Sequence, residues 1–131
     1  MESIIREKII THLKLNNILT NKQFGFLKGR STTLQLLKVL DDWSKILDSG
    51  ELLDVLYTDF QKAFDTVPHL RLLQKIESCG ICGKPLEWIR SFLTGRRQRV
   101  KVKGRTSAWI DVSSGVPQGS ILGPILFVIY I

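Results

Sequence analysis

The sequence predicts a mixed α+β fold, and three hydrophobic patterns support this prediction. Several stretches place apolar residues every three or four positions, which is typical of amphipathic helices. One stretch is almost continuously apolar, as in a strand that is buried on both faces. Another alternates between basic and other side chains, as in a half-buried hairpin. We therefore expect helices that back a small mixed or antiparallel sheet, together with a basic β-hairpin.

The composition favours one folded domain with a polyanionic partner. The chain has 131 residues, of which 44% are hydrophobic, and this excludes a disordered tail. Its 19 Lys and Arg against 12 Asp and Glu give a net charge of +7, which favours nucleic acid over a membrane surface. No linker or shift in composition divides it, so we expect a single domain over residues 1–131.

Targeting signals are not visible in this sequence. The first residues contain no apolar signal segment, and the only cysteines are Cys79 and Cys82, so we expect an intracellular protein of the nucleus or cytoplasm rather than a secreted one. The longest apolar run, residues 125–131, is too short to span a bilayer. Because this run stands at the end of the chain, we expect a fragment of a larger polypeptide that is poorly soluble.

Five segments are predicted to be helical, and in the second of them Leu36, Leu40, Trp43 and Leu47 form one apolar stripe. The last segment contains β-branched residues and Pro124, so strand remains an alternative there. The predicted helices are residues 3–19, a helix from Ser31 or Thr32 to Asp48, a short helix opened by Pro68 and His69, a helix with Pro85 in its first turn, and the apolar segment after Ser120.

Residues 52–60 are predicted to form the buried strand, with Asp59 near its end. Open sheets bind ligands at this end of their strands, and a carboxylate there suits Mg²⁺. The alternative is that Asp59 bonds to the following turn. Asp65, one turn later, is predicted to cap or turn the chain rather than to bind metal.

Residues 97–103 place Arg97, Arg99, Lys101 and Lys103 on one strand face. A turn at Gly104 and Arg105 then leads to a second strand within residues 108–112. These cations are either a solvated hairpin rim or contacts to a nucleic-acid backbone.

Residues 114–124 form a glycine-rich loop around Pro117 and Gln118. Its glycines allow the backbone to approach a ligand closely, and the glutamine amide offers both a donor and an acceptor.

Three segments together resemble reverse transcriptases. Residues 57–65, YTDFQKAFD, resemble motif A, and residues 115–124, GVPQGSILGP, resemble motif B. Residues 23–33, QFGFLKGRSTT, are similar to the block before motif A in non-LTR retrotransposons and group II intron proteins. The resemblance covers nearly the whole chain and is closest to jockey-like non-LTR elements. It implies a partial right-hand polymerase palm with part of the fingers.

The resemblance also implies residue roles. Asp59 would be the first metal-binding aspartate, and the Phe60 carbonyl a further Mg²⁺ ligand. Phe64 would be the steric gate that excludes a ribonucleotide, whereas Gln118 and Gly119 would contact the incoming deoxynucleoside triphosphate.

Further roles concern nucleic acid. Lys28 and Arg30 would touch it, and the implied partners are an RNA template and a DNA primer. The resemblance also raises the expectation that the basic hairpin contacts nucleic acid.

The Tyr-x-Asp-Asp hairpin of motif C is not found in these 131 residues. Because one aspartate does not hold two metal ions at catalytic separation, we expect a reverse transcriptase fragment that is inactive as an isolated chain. The alternative function is a non-catalytic basic module that binds nucleic acid. We expect Trp43, Trp88 and Trp109 to be core or half-exposed anchors rather than stacking platforms for bases.

Overall fold

A computed structural model describes all of residues 1–131 as five helices and four short strands, so the α+β prediction is confirmed. The five predicted helices all form. The helices are α1 (Glu2–Leu15), α2 (Thr32–Asp48), α3 (His69–Ser78), α4 (Lys84–Leu93) and α5 (Gly123–Tyr130), and the strands are β1 (Arg97–Gln98), β2 (Lys101–Val102), β3 (Arg105–Thr106) and β4 (Ile110–Asp111). None of the helices combines the length and apolar content needed to cross a membrane.

The chain divides into two compact units, one formed by Met1–Ile18 with Lys62–Ile131 and the other by Leu19–Gln61. In the first unit α3 packs against both α4 and α5. The apolar positions of these helices recur at helical spacing, so each helix buries one face. The fully buried side chains of the three helices include Leu72, Ile76, Ile89, Leu93, Ile125 and Leu126.

Helix α1 belongs to the same unit and is joined to it by polar contacts at both ends. The Glu2 carboxylate accepts hydrogen bonds from the backbone N–H groups of Ile121 (2.9 Å) and Leu122 (3.1 Å), just before α5 begins. A negative charge is favourable at that end of a helix. At the other end His12 Nε2 donates to the Cys79 carbonyl over 2.8 Å. α1 ends earlier than predicted because Asn17 adopts a positive φ of 53°.

In the second unit, α2 begins where the sequence predicts it. The Ser31 hydroxyl caps it by accepting the Leu34 N–H over 3.2 Å. None of its side chains is buried, and Leu36, Leu40 and Leu47 of the predicted stripe are exposed.

The predicted buried strand at residues 52–60 does not form, so that prediction is wrong. The segment has no regular secondary structure, and Leu52 and Leu56 are 99% and 88% exposed. A central strand needs a hydrogen-bonding neighbour on each side and cover on both faces. The four strands of this chain instead pair only with one another, as β1 with β4 and β2 with β3.

The predicted hairpin forms, but with two differences. Its turn is centred on Lys103 and Gly104, whose φ values of 47° and 81° are those of a two-residue type I′ turn. Every residue of β1 to β4 is exposed, so the expected half-burial and the expected backing of the sheet by helices are wrong. Helix α3 instead buries its apolar face against α4 and α5.

Candidate functional site

The segment that resembles motif A, residues 57–65, ends in a tight turn that begins at Lys62. Lys62 has a positive φ of 49°, and its carbonyl accepts the N–H groups of Asp65 (2.9 Å) and Thr66 (3.1 Å). This turn fixes the backbone that carries Phe64 and Asp65. Both residues therefore hold a defined position in the unit of Met1–Ile18 and Lys62–Ile131.

The same turn is hydrogen-bonded to the glycine-rich loop almost fifty residues later. The Val116 N–H donates to the Phe64 carbonyl, and the Gly115 N–H donates to the Val67 carbonyl, each over 2.8 Å. The Ser114 hydroxyl adds a bond of 2.8 Å to the Asp65 carbonyl. The end of the motif A segment and the start of the motif B segment are therefore joined directly.

Asp65 also holds the side chain of Gln118 in the glycine-rich loop. Gln118 Nε2 donates to Asp65 Oδ1 over 2.9 Å. Asp65 thus lies in the turn that begins at Lys62 and also holds Gln118 through its carboxylate. This contact leaves the Gln118 side-chain carbonyl as an acceptor for a ligand.

Gly115 occupies a position that no other residue fits. Its φ is +87°, and a Cβ there would lie 2.8 Å from the Asp65 carbonyl oxygen and 2.9 Å from that of Phe64. The close approach of the two segments therefore depends on the absence of a side chain.

Two donors from other elements hold the Gly115 carbonyl. His69 Nε2, which is buried at the start of α3, donates to it over 2.8 Å, and an Arg96 guanidinium N–H donates over 2.7 Å. Burial lowers the pKa of the Arg96 guanidinium. Sequence reasoning assigned His69 only to a helix start and gave Arg96 no such role. No local pattern signals either contact, because the carbonyl lies 46 residues from His69 and 19 from Arg96.

A small pocket lies beside these contacts. It has a volume of about 310 Å³ and is lined by Phe64, Pro117, Gln118, Gly119 and Pro124. The structure thus brings together three residues that the sequence predicts for nucleotide binding, Phe64, Gln118 and Gly119. The volume is at the lower end of the range typical of small-molecule sites.

The Phe64 ring forms one wall of this pocket. It packs on Phe127 of α5, with ring centroids 5.0 Å apart and planes tilted by 34°. Phe127 is itself buried in the helical core. The ring is therefore supported by a buried residue of the helical core.

Asp59 and Phe60 belong to the other unit, Leu19–Gln61. Both residues are exposed and lie in the segment without secondary structure. Within residues 1–131, no three His, Cys, Asp or Glu side chains group as a metal site. Asp59 with the Phe60 carbonyl therefore does not fit a complete two-metal centre.

Lys28 and Arg30 also lie in the smaller unit. Lys28 is exposed. The Arg30 guanidinium donates to the Asn21 carbonyl over 2.8 Å and stands 5.5 Å from the centre of the Phe24 ring. Arg30 thus folds back onto its own loop.

The four hairpin cations are all exposed. Arg97 forms an ion pair with Asp111 at 3.5 Å across the strands. Arg97 and Arg99 also stand over the Trp109 ring, at 5.8 Å and 4.5 Å from its centre. Lys101 lies on β2, whereas Lys103 lies in the turn. Arg97, Arg99 and Lys101 therefore lie along the first arm of the hairpin, and Lys103 lies at its tip.

The paired motif A and motif B segments define a class of protein, and comparison with known families agrees with it. The family model described as reverse transcriptase (RNA-dependent DNA polymerase) matches residues 1–131. The chain therefore belongs to the reverse transcriptase family.

Individual relatives place it among non-LTR mobile elements, which confirms the resemblance seen in the sequence. It is 35% identical over 129 residues to the probable RNA-directed DNA polymerase from transposon X-element of Drosophila melanogaster, covering 98% of this chain. It is 34% identical over 130 residues to the RNA-directed DNA polymerase from mobile element jockey of Drosophila funebris, covering 99% of this chain. The chain spans 14% of the length of each of these relatives.

A third relative comes from another kind of element. The chain is 34% identical over 96 residues to the retrovirus-related Pol polyprotein from type-1 retrotransposable element R2 of Popillia japonica, covering 72% of this chain and 16% of that protein. No solved structure matches the chain significantly.

Proposed function

We propose that this chain supplies the deoxynucleotide-selecting part of an RNA-directed DNA polymerase from a non-LTR retrotransposon. The observation that carries the proposal is the pocket of Phe64, Gln118 and Gly119 at the junction of the motif A and motif B segments. The relatives' names supply the reaction class. The incoming substrate is a deoxynucleoside triphosphate, paired with an RNA template and added to a DNA primer.

Phe64 acts as the steric gate in this proposal. Because its ring packs on Phe127 and its backbone carbonyl is bonded to Val116, it has little freedom to move away from a ligand. A sugar seated against the ring would fit without a 2′-hydroxyl and collide with one. Shape exclusion of this kind needs a rigid wall, which the buried Phe127 supplies.

Gln118 positions the nucleotide. Its amide nitrogen is held by Asp65, so the amide group keeps one orientation and presents its oxygen as an acceptor. Gly119, with a positive φ of 78° and open space where a Cβ would stand, lets a ligand approach the backbone. Preorganised contacts lower the entropic cost of binding.

Asp59 is proposed as a Mg²⁺ ligand together with the Phe60 carbonyl. Mg²⁺ would supply charge neutralisation at the transferred phosphoryl group. A single aspartate does not fix two ions, so we expect no template-directed primer extension by this chain alone. Primer extension on an RNA template tests this expectation, and synthesis that disappears in the Asp59→Ala variant would contradict it.

A second candidate function is a basic module that binds nucleic acid without chemistry. The exposed cations Arg97, Arg99, Lys101 and Lys103 of the hairpin favour it. Contacts of this type give affinity without base specificity. This function is compatible with the first, since a polymerase also has to hold its template.

The steric gate is tested by comparing dATP with ATP, which carry the same charge and differ only at the sugar. We expect the chain to bind ATP about tenfold or more weakly than dATP. Phe64→Ala should abolish this difference, because the wall beside C2′ is gone. Isothermal titration with purified chain measures both dissociation constants.

The matched control is Phe92→Ala. Phe92 is half-buried on α4, where it stacks on Trp88 at 5.5 Å, outside the pocket. The Phe92→Ala variant loses a comparable aromatic contact but should keep the preference for dATP. Equal binding of dATP and ATP by the unsubstituted chain would contradict the proposal.

A further inference from the structure

The hairpin contains a β-bulge that determines which way Trp109 faces. Gln98 pairs with Ile110, whereas Lys101 pairs with Thr106. Between these pairs, residues 99–100 of the first arm face residues 107–109 of the second, so the second arm carries one extra residue.

The extra residue moves Trp109 to the other face of the hairpin. With the register of β2 and β3 continued, Trp109 would lie opposite Gln98 and share a face with Val100. With the register of β1 and β4 continued by one residue, it lies opposite Arg99. A shift of one residue exchanges the two faces of a strand. The bulge therefore places the ring on the face that carries the cations.

The contacts of the Trp109 ring agree with this placement. The guanidinium carbons of Arg99 and Arg97 stand 4.5 Å and 5.8 Å from the centre of the Trp109 ring. Even so, Trp109 is 49% exposed, whereas Trp43 and Trp88 are half-buried. An aromatic surface is therefore open to solvent between cationic side chains.

In place of the anchor role that the sequence suggests for Trp109, we propose that this face of the hairpin binds an unpaired RNA strand, with Trp109 stacking on a base and Arg99 and Lys101 contacting the flanking phosphates. The inference rests on the proposed function, in which the chain holds an RNA template. An indole ring offers a surface that any base can stack on, and exposed cations beside it follow the backbone.

An unpaired strand fits this face better than a duplex. The bases of a duplex are stacked on one another and cannot reach an exposed ring, whereas those of a single strand can turn outwards. Asp111, which pairs with Arg97 at 3.5 Å, places a negative charge at one end of the face. We therefore assign the phosphate contacts to Arg99 and Lys101, which lie towards the turn.

The test compares three labelled probes of equal length by fluorescence anisotropy, with the full chain. They are a single-stranded RNA, the corresponding RNA duplex, and an RNA strand whose central nucleotides lack bases. Trp109→Ala should weaken binding of the single strand by about 5- to 100-fold, because stacking on one aromatic ring is lost. It should change binding of the duplex and of the abasic strand by less than about twofold.

Trp109→Phe guards against a folding artefact, since it keeps an aromatic ring and should retain most of the affinity for the single strand. An equal loss for all three probes, or no loss for the single strand, would overturn the stacking proposal. Arg99→Ala with Lys101→Ala tests the underlying function separately. If that double variant binds all three probes as tightly as the unsubstituted chain, the basic hairpin does not hold RNA at all.

Discussion

At the residue scale, the candidate site depends on a few contacts around Gly115. Its carbonyl accepts hydrogen bonds from His69 and Arg96, and its missing side chain lets the Phe64 and Asp65 backbone approach. Buried carbonyls are costly when unpaired, so two donors at one carbonyl hold the loop firmly. The orientation of Gln118 follows from this backbone and from its own bond to Asp65.

Gly115→Ala should therefore lower the free energy of unfolding by about 2–4 kcal/mol. The positive φ and the overlap of the new Cβ with two carbonyl oxygens both contribute. Gly95→Ala is the matched control, because Gly95 also has a positive φ, of 69°, but open space around it. Gly95→Ala should lower the free energy of unfolding by only about 1 kcal/mol. Urea denaturation followed by circular dichroism measures both, and equal losses would show that the contact with the Phe64–Asp65 backbone is not tight.

At the element scale, the hairpin is an exposed arm with separate cationic and aliphatic faces. Val100, Val102 and Ile110 are 65%, 60% and 62% exposed, so the arm has little hydrophobic cover of its own. Its shape comes from the type I′ turn, the bulge and the strand pairing. An exposed arm of this kind is available to a large partner.

The hairpin cations should dominate the salt dependence of nucleic-acid binding. Replacing Arg99, Lys101 and Lys103 with Ala should reduce the slope of log K against log salt by about 2, because fewer counterions are released from a single strand. The control replaces three exposed cations on the helices, Arg71, Lys84 and Arg90, and removes the same charge. Equal slopes for the two triple variants would show that net charge, and not the hairpin, drives binding.

The elements differ in how well the sequence predicts them. Helices α3 and α4 were predictable because their apolar spacing indicates a buried face, as the buried Leu73 and Ile76 of α3 and Ile89 of α4 show, although Leu70 of the same pattern is exposed. The irregular, exposed structure of residues 52–60 was not predictable, since burial of an apolar segment depends on neighbours that no local pattern reveals. The face of Trp109 depends on a bulge, and alternation along one arm does not show it.

The site was predictable in part for the same reason. Phe64, Gln118 and Gly119 come from motifs, and the structure brings them together. The support from His69 and Arg96 comes from long-range contacts to a backbone carbonyl, which leave no signature in the residues themselves.

At the scale of the whole molecule, the two regions that the proposals concern are formed by different residues. The nucleotide pocket and the basic hairpin both belong to the unit of Met1–Ile18 and Lys62–Ile131, whereas Asp59 belongs to Leu19–Gln61. The net charge of +7 favours a polyanionic partner for the chain as a whole. In the proposed function, the residues assigned to nucleotide selection and to metal binding therefore come from separate units of the chain.

The most direct test of the central claim is to map dATP binding on the isotope-labelled chain by the chemical shifts of its backbone amides. The account predicts that the largest changes occur at Phe64, Gln118 and Gly119 and are smaller when ATP replaces dATP. Changes confined to the hairpin, with these three amides unaffected, would contradict it.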